Sequence, residues 1–370
     1  MGTPALAVVV GGFILSFIFG AVANRTNFCT MGAVSDVVNM GSWGRMRMWL
    51  LAIAVAILGT YALQLAGLID FTRSFYVRAN VTWLSYALGG FLFGVGMTLG
   101  SGCGSKTLVR LGAGSLKSLV VFICLGIAGY MTLKGLFGIW RTRFIDPVAT
   151  DFAAHGLSRQ DLPTLIAAWT GASLAVVQGV VAGAFALALL AFVFKDREFR
   201  TSFDHVLGGV VVGLVIVAGW YVTGHLGYGE NPDTLETTFL GTNSHTIESL
   251  SYVAPVAYSL ELLMLWSDKS LGLTFGIAAV AGIILGSLAY ALASRTFRWE
   301  GLAGAEDTAN HIVGGILMGF GGVTALGCTI GQGITGFSTL ALGSLVAFAS
   351  ILAGSALTMK VQYWRITRET

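Results

Sequence analysis

Nine runs of apolar residues, each close to the length that crosses a bilayer, leave this chain few folds to choose from. They are Ala5–Ala23, Met48–Ile69, Trp83–Gly100, Leu116–Ile139, Leu165–Phe194, Val206–Val222, Leu271–Ala293, His311–Leu326 and Ser344–Val361. About 20 apolar residues span a hydrocarbon core as a helix. Inside lipid every backbone N–H and C=O must be paired within the protein, so only helices and closed barrels can span it. Continuous runs of this length, without the two-residue alternation of barrel strands, select helices. Only 11% of the 370 residues are charged, against about 25% in a soluble domain, too few to face water on all sides. The expected fold class is therefore an all-α integral membrane protein with about nine transmembrane helices. The 51 glycines point to helices in close contact, because small residues let backbones approach in lipid.

Four shorter, partly polar segments lie between the runs: Asn27–Met40, Lys106–Leu111, Ile247–Trp266 and Gly331–Leu340. They are expected to be re-entrant or half-inserted helices lining a protein cavity, the one setting in which irregular backbone survives at membrane depth. Pro255 and Glu261 argue against Ile247–Trp266 as a tenth span. The loop Tyr228–Thr246 carries a turn-like Asn231-Pro232-Asp233 and no evident chemistry.

The chain repeats itself. Setting Gly90 against Gly315 also aligns Gly94 with Gly319, Gly96 with Gly321, Gly102 with Gly327 and Cys103 with Cys328. Gly11-Gly12 matches Gly208-Gly209, and Ile57-Leu58-Gly59 matches Ile284-Leu285-Gly286. Residues 1–145 thus form a first repeat of four spans, 203–370 a second, and 146–202 a connector with one unpaired span. Four spans plus one connector is an odd number, so the second repeat must enter from the opposite side. Such inverted repeats place a site near the middle of the membrane.

Nine spans put Arg73, Arg78, Lys134, Arg141, Arg143, Arg159 and Lys269 on one side and the other fourteen of the 21 Lys and Arg on the opposite side. The positive-inside rule makes the richer side cytoplasmic, with the N-terminus outside and the C-terminus inside. The first run has no basic stretch before it, so it reads as a span rather than a signal peptide. A net charge of +3 without basic runs gives no footprint for nucleic acid.

Chemistry concentrates in the cysteines. None of Cys29, Cys103, Cys124 and Cys328 lies in a CxxC pair, which argues against a metal knuckle or a thioredoxin-like motif, and no cofactor is expected. Cys124 sits inside an ordinary span and reads as packing. Gly102-Cys103-Gly104-Ser105-Lys106-Thr107 resembles a phosphate loop only superficially, because Ser105 separates glycine from lysine and a membrane span precedes it. The five histidines show no ligand spacing. Asp36 is the one acid in the first short segment, where pairing within the protein competes with a functional role.

Asn27-Phe28-Cys29-Thr30-Met31-Gly32-Ala33, Ser101-Gly102-Cys103-Gly104 and Leu326-Gly327-Cys328-Thr329-Ile330-Gly331-Gln332-Gly333 together resemble the YeeE/YedE family of sulfur-compound transporters. The resemblance covers nearly the whole chain. It implies an hourglass-shaped inverted-repeat fold in the bacterial inner membrane, inward transport of thiosulfate, and a path lined by Cys29, Cys103 and Cys328, with Cys103 the most critical. It also implies a TusA-like sulfurtransferase as cytoplasmic partner. The chain departs from the thiosulfate branch in reading Arg25-Thr26-Asn27-Phe28-Cys29 for Arg-x-Arg-Phe-Cys, and Ser101-Gly102-Cys103 for Gly-Gly-Cys.

A small sulfur oxyanion is soft at its terminal sulfur and hard at its oxygens. Backbone N–H groups at the helix starts after Cys103 and Cys328 are candidates to receive the oxygens. Neutral thiols are weak donors, able to hold a sulfur without trapping it, as conduction through several weak sites requires. Asn27, Gly102, Gly104, Lys106, Gly327, Thr329 and Gln332 complete the expected path, and Arg110 is a second candidate, beside Lys106, for drawing anions. Transport of another sulfur or selenium species is the alternative within the class. A membrane-embedded sulfurtransferase or redox protein with Cys103 as nucleophile is the rival outside it, although no His or Glu adjoins Cys103 in the sequence.

Overall fold

The computed structural model describes residues 3–230 and 235–369; the expected turn at Asn231-Pro232-Asp233 lies outside them. The helices are α1 (Thr3–Arg25), α2 (Thr30–Ser35), α3 (Gly44–Leu65), α4 (Trp83–Leu99), α5 (Gly104–Gly112), α6 (Leu116–Lys134), α7 (Leu136–Trp140), α8 (Leu162–Thr170), α9 (Leu174–Phe194), α10 (Arg197–Thr201), α11 (Phe203–Tyr221), α12 (Ala254–Met264), α13 (Phe275–Ala293), α14 (Ala305–Thr324) and α15 (Leu342–Glu369). Sheet is confined to two antiparallel pairs, Asn80–Val81 with Thr150–Asp151 and Tyr228–Glu230 with Thr237–Phe239. The protein is an all-α integral membrane protein.

Among the described residues eight helices are long and apolar enough to cross a membrane. α14, which opens on Glu306, Asp307 and His311, falls outside that set although it packs between α4 and α6. Two expected runs are broken. Leu165–Phe194 is not one helix: α8 stops at Gly171, whose φ of +70° ends a helix without steric penalty, and α9 starts afresh. Leu116–Ile139 divides at Gly135 into α6 and α7. In both runs the apolar pattern continues across the break, so hydropathy alone reveals neither. The expected half-inserted segments are indeed short: α12 has 11 residues, and Gly331–Gly336 forms a single wide π turn.

The long helices pair in a regular way. α1 lies on α13 and α3 on α11; α4 lies on α15 and α14 on α6; α1 meets α11 and α4 meets α14. The last contact is built on glycine. A Cβ on Gly96 would stand 2.7 Å from the Gly314 carbonyl oxygen, and one on Gly314 2.7 Å from that of Gly96. Two turns away Gly89 and Gly321 stand in the same reciprocal relation, at 2.8 and 2.6 Å. Pairing Gly89 with Gly321 and Gly96 with Gly314 makes α4 and α14 antiparallel, so their C-terminal ends, each leading to a cysteine, lie on opposite sides. α9 presents Ala182, Ala186 and Val193 inward and leaves Val180 and Leu187 exposed to lipid.

Candidate functional site

One backbone turn occurs three times. α1 closes with the Phe28 N–H donating to the Ala23 carbonyl at 3.1 Å, α4 with Gly102 to Met97 at 2.9 Å, and α14 with Gly327 to Gly322 at 2.8 Å. Each is the six-residue closure of a Schellman end. It forces the residue two before the cysteine into the left-handed region: Asn27 at φ 54°, Ser101 at 57° and Leu326 at 59°. Non-glycine residues there cost roughly 1–2 kcal/mol, and such strain gathers at functional sites. The chain then extends through the cysteine and begins a helix at the next residue. The carbonyls of Cys29, Cys103 and Cys328 accept from the N–H groups of Ala33, Thr107 and Gln332, so each cysteine occupies the N-cap position.

The sulfurs use that position differently. Cys29 Sγ accepts from the Gly32 N–H and Cys328 Sγ from the Gly331 N–H, both at 3.4 Å. The expectation of open N–H groups for an anion beyond Cys328 is thereby corrected in part, because the sulfur itself takes one. Cys103 makes no such bond; its Sγ stands 3.3 Å from Ser105 Oγ, and Thr30 Oγ1 points at it from 4.0 Å. All three thiols are buried. Thr30 directly follows Cys29, so its approach to Cys103 brings those two turns side by side. Cys124 is half-buried against Gly315 where α6 meets α14.

The other path candidates fall around these turns. Lys106 Nζ donates to Asn27 Oδ1 at 2.8 Å, joining the turns of Cys29 and Cys103. Gly104 faces the Tyr252 carbonyl across 3.7 Å from its Cβ position, and Gly102 packs against the stem of Lys106. Gly327 turns the chain before Cys328. Gln332 Nε2 donates to the Ala325 carbonyl at 2.6 Å, closing that turn, while Gln332 Oε1 and Thr329 Oγ1 are buried without a hydrogen-bond partner among the described residues. Trp220 Nε1 to Ser338 Oγ, Tyr61 OH to the Thr339 carbonyl and Thr335 Oγ1 to the Leu250 carbonyl hold the wide turn in place. Arg110 braces the Cys103 turn, donating to the Ser101 carbonyl at 3.1 Å, and its charge is paired with Glu300.

Two cavities border the turns. One, of about 230 Å³, is bounded by Leu326 and Gly327 and by Tyr76, Glu248, Ser251 and Tyr258. The other, of about 600 Å³, is bounded by Met31, Ser35, Asn39, Thr98, Lys360 and Tyr363 beside the Cys29 and Cys103 turns. Sequence reasoning missed Tyr252, which is fully buried, bonds Ser16 through its hydroxyl at 3.0 Å and lies between Gly104 and Cys328. It also gave no site role to Arg45, whose guanidinium is held by Asp36 and lies over Gly32. A nine-residue interval hides the first partnership, and nothing in the sequence marks the second.

The model of the sulphur transport family matches residues 25–357, a stretch that contains all three turn cysteines. The chain belongs to that family. Among curated relatives, the thiosulfate transporter TsuA of Escherichia coli (strain K12) is 26% identical over 338 residues, covering 89% of this chain and 87% of that protein. The thiosulfate transporter TsuA of Spirochaeta thermophila is 26% identical over 348 residues, covering 93% and 96%. As a member of the sulphur transport family the chain is a sulfur-compound transporter rather than an enzyme.

Proposed function

We propose that this family member takes up a small sulfur-containing anion, thiosulfate first among them, across the bacterial inner membrane past Cys328, Cys103 and Cys29. The observation that carries the reading is the set of three strained turns, each delivering a buried thiol, with one cavity beside the Cys328 turn and another beside the Cys29 and Cys103 turns. Two curated relatives named as thiosulfate transporters support the substrate. The anion's terminal sulfur passes from thiol to thiol while hydroxyls such as Thr329 and Ser105 attend its oxygens. Each contact is weak, so no single station traps it.

Helix directions support an inverted-repeat topology with nine crossings. Gly12 meets Phe275 and Gly20 meets Ile283, which makes α1 and α13 parallel; Gly90 and Gly94 against Ala347 and Ile351 make α4 and α15 parallel; α4 and α14 are antiparallel. Nine alternating spans satisfy all three relations, and a tenth at α12 breaks every one of them. In this reading residues 1–145 and 203–370 are the two repeats, joined by 146–202, and the positive-inside rule sets the N-terminus outside. Lys106 and Arg45 then lie at the cytoplasmic end, where a TusA-like sulfurtransferase receives the anion.

The test is uptake of labelled thiosulfate into cells carrying the protein. Cys103→Ala abolishes uptake and Cys124→Ala retains it; equal behaviour of the two defeats the reading. Competition by sulfite, sulfate and selenium analogues separates thiosulfate from other species.

A further inference from the structure

The cavity beside Cys328 contains a carboxyl group that an anion path has no use for while it is ionised. Glu248 lines that cavity together with Ser244, Ser249, Ser251, Tyr76, Tyr258 and, at the rim, Arg141. Its Oε2 accepts from Ser244 Oγ at 2.7 Å, and its backbone is fixed by Thr223, whose hydroxyl bonds both the Glu248 N–H and carbonyl. No cation pairs with it among the described residues. Arg141, the charged group sharing the cavity, pairs with Asp146 instead, and Lys134, beyond Tyr258, pairs with Glu261. The remaining titratable groups facing Glu248 are the phenols of Tyr76 and Tyr258, neutral at physiological pH.

We propose that Glu248 is a specificity-determining residue for anion access, admitting the anion only when its carboxyl group holds a proton. The inference rests on the transport reading above. Protonated, Glu248 is an O–H donor among serine hydroxyls and adds a hydrogen bond to an oxyanion in the cavity. Ionised, it is an acceptor only and a negative charge facing a negative solute in a poorly solvated space, where repulsion is stronger than in water. Burial among protein atoms raises its pKa from 4.5 to about 7, opposed only by the Ser244 hydrogen bond. The neutral form that admits the anion therefore prevails below about pH 7 and disappears above it. A neutral donor in this position excludes nothing; the ionisable one links access to outside pH.

Labelled thiosulfate uptake is measured at external pH 5.5 to 8.5 for the wild type, Glu248→Gln and Ser244→Ala. Wild-type uptake falls as pH rises through about 7, by up to about tenfold per unit well above the midpoint. Glu248→Gln, neutral at every pH and still a donor, loses that fall. Ser244→Ala removes the one group that favours the ionised form, so its midpoint moves to higher pH; it also serves if Glu248→Gln does not reach the membrane. A Glu248→Gln profile that keeps the wild-type fall, or a Ser244→Ala midpoint that stays in place, overturns the proposal and leaves the transport reading intact. Absence of thiosulfate uptake by the wild type at every pH overturns both.

Discussion

Lys106 Nζ stands 2.8 Å from Asn27 Oδ1, so the helix that follows Cys103 is tied to the turn that precedes Cys29. The ammonium spends one of its three donors on this bond and lies within electrostatic range of both thiols. On the proposed path, an anion leaving Cys103 for Cys29 would pass a cation already held in place. We expect Lys106→Gln to raise the thiosulfate concentration for half-maximal uptake by about tenfold, the lower end of what a hydrogen bond to a charged group contributes, roughly 1.5–3 kcal/mol. Uptake kinetics decide it. A variant that loses thermal stability but keeps its half-saturation reduces Lys106 to a tether for Asn27.

The glycine contact between α4 and α14 is open to a stability test. A Cβ on Gly314 would stand 2.5 Å from the Gly100 nitrogen as well as 2.7 Å from the Gly96 oxygen, and backbone cannot rotate out of the way. We expect Gly314→Ala to cost about 1–3 kcal/mol, the ordinary penalty for overpacking, seen as a lower unfolding midpoint in detergent. Gly183, on α9, has open space at the same position, so Gly183→Ala should hold or raise the midpoint. Equal effects of the two substitutions would mean that α4 and α14 can separate freely.

How much of this was legible in the sequence depends on what each feature is made of. Spanning helices follow from run length. The helix breaks at Gly135 and Gly171 leave no hydropathic trace, since apolar residues continue on both sides. The strained turn is equally hidden: Asn27, Ser101 and Leu326 share a left-handed φ but no chemistry, so only the following cysteine unites them. The approach of Thr30 to Cys103 and Glu248's cavity join segments far apart in the chain, which no local pattern encodes. Arg110 looked like Lys106 on paper and differs only because Glu300 lies within reach.

Ser101 carries the conformational cost of its turn without the help glycine would give. Relatives of the thiosulfate branch with glycine before Gly-Cys fit a position at φ 57°, where a side chain crowds its own backbone. We expect Ser101→Gly to stabilise the protein by about 0.5–1 kcal/mol, the relief of left-handed strain less glycine's larger entropy loss on folding. Asn27→Gly should gain less, because asparagine tolerates that region better. Unfolding midpoints compared under one detergent test the order; a loss in Ser101→Gly would place the strain elsewhere than in φ.

Thr329 separates stability from function most directly. Its hydroxyl is buried next to Cys328 with no hydrogen-bond partner among the described residues, an arrangement that costs about 1–3 kcal/mol. A group kept only for packing would be as well served by valine, which has nearly the same shape and no hydroxyl. We expect Thr329→Val to raise the unfolding midpoint and at the same time to lower thiosulfate uptake severalfold, because a donor that the fold leaves unused is free to meet an oxyanion beside Cys328. Thr329→Ser, which keeps the hydroxyl and loses a methyl group, should show the reverse: lower stability and retained uptake. If both variants transport as the wild type does, the oxygens of the anion are attended by other groups and Thr329 leaves the path.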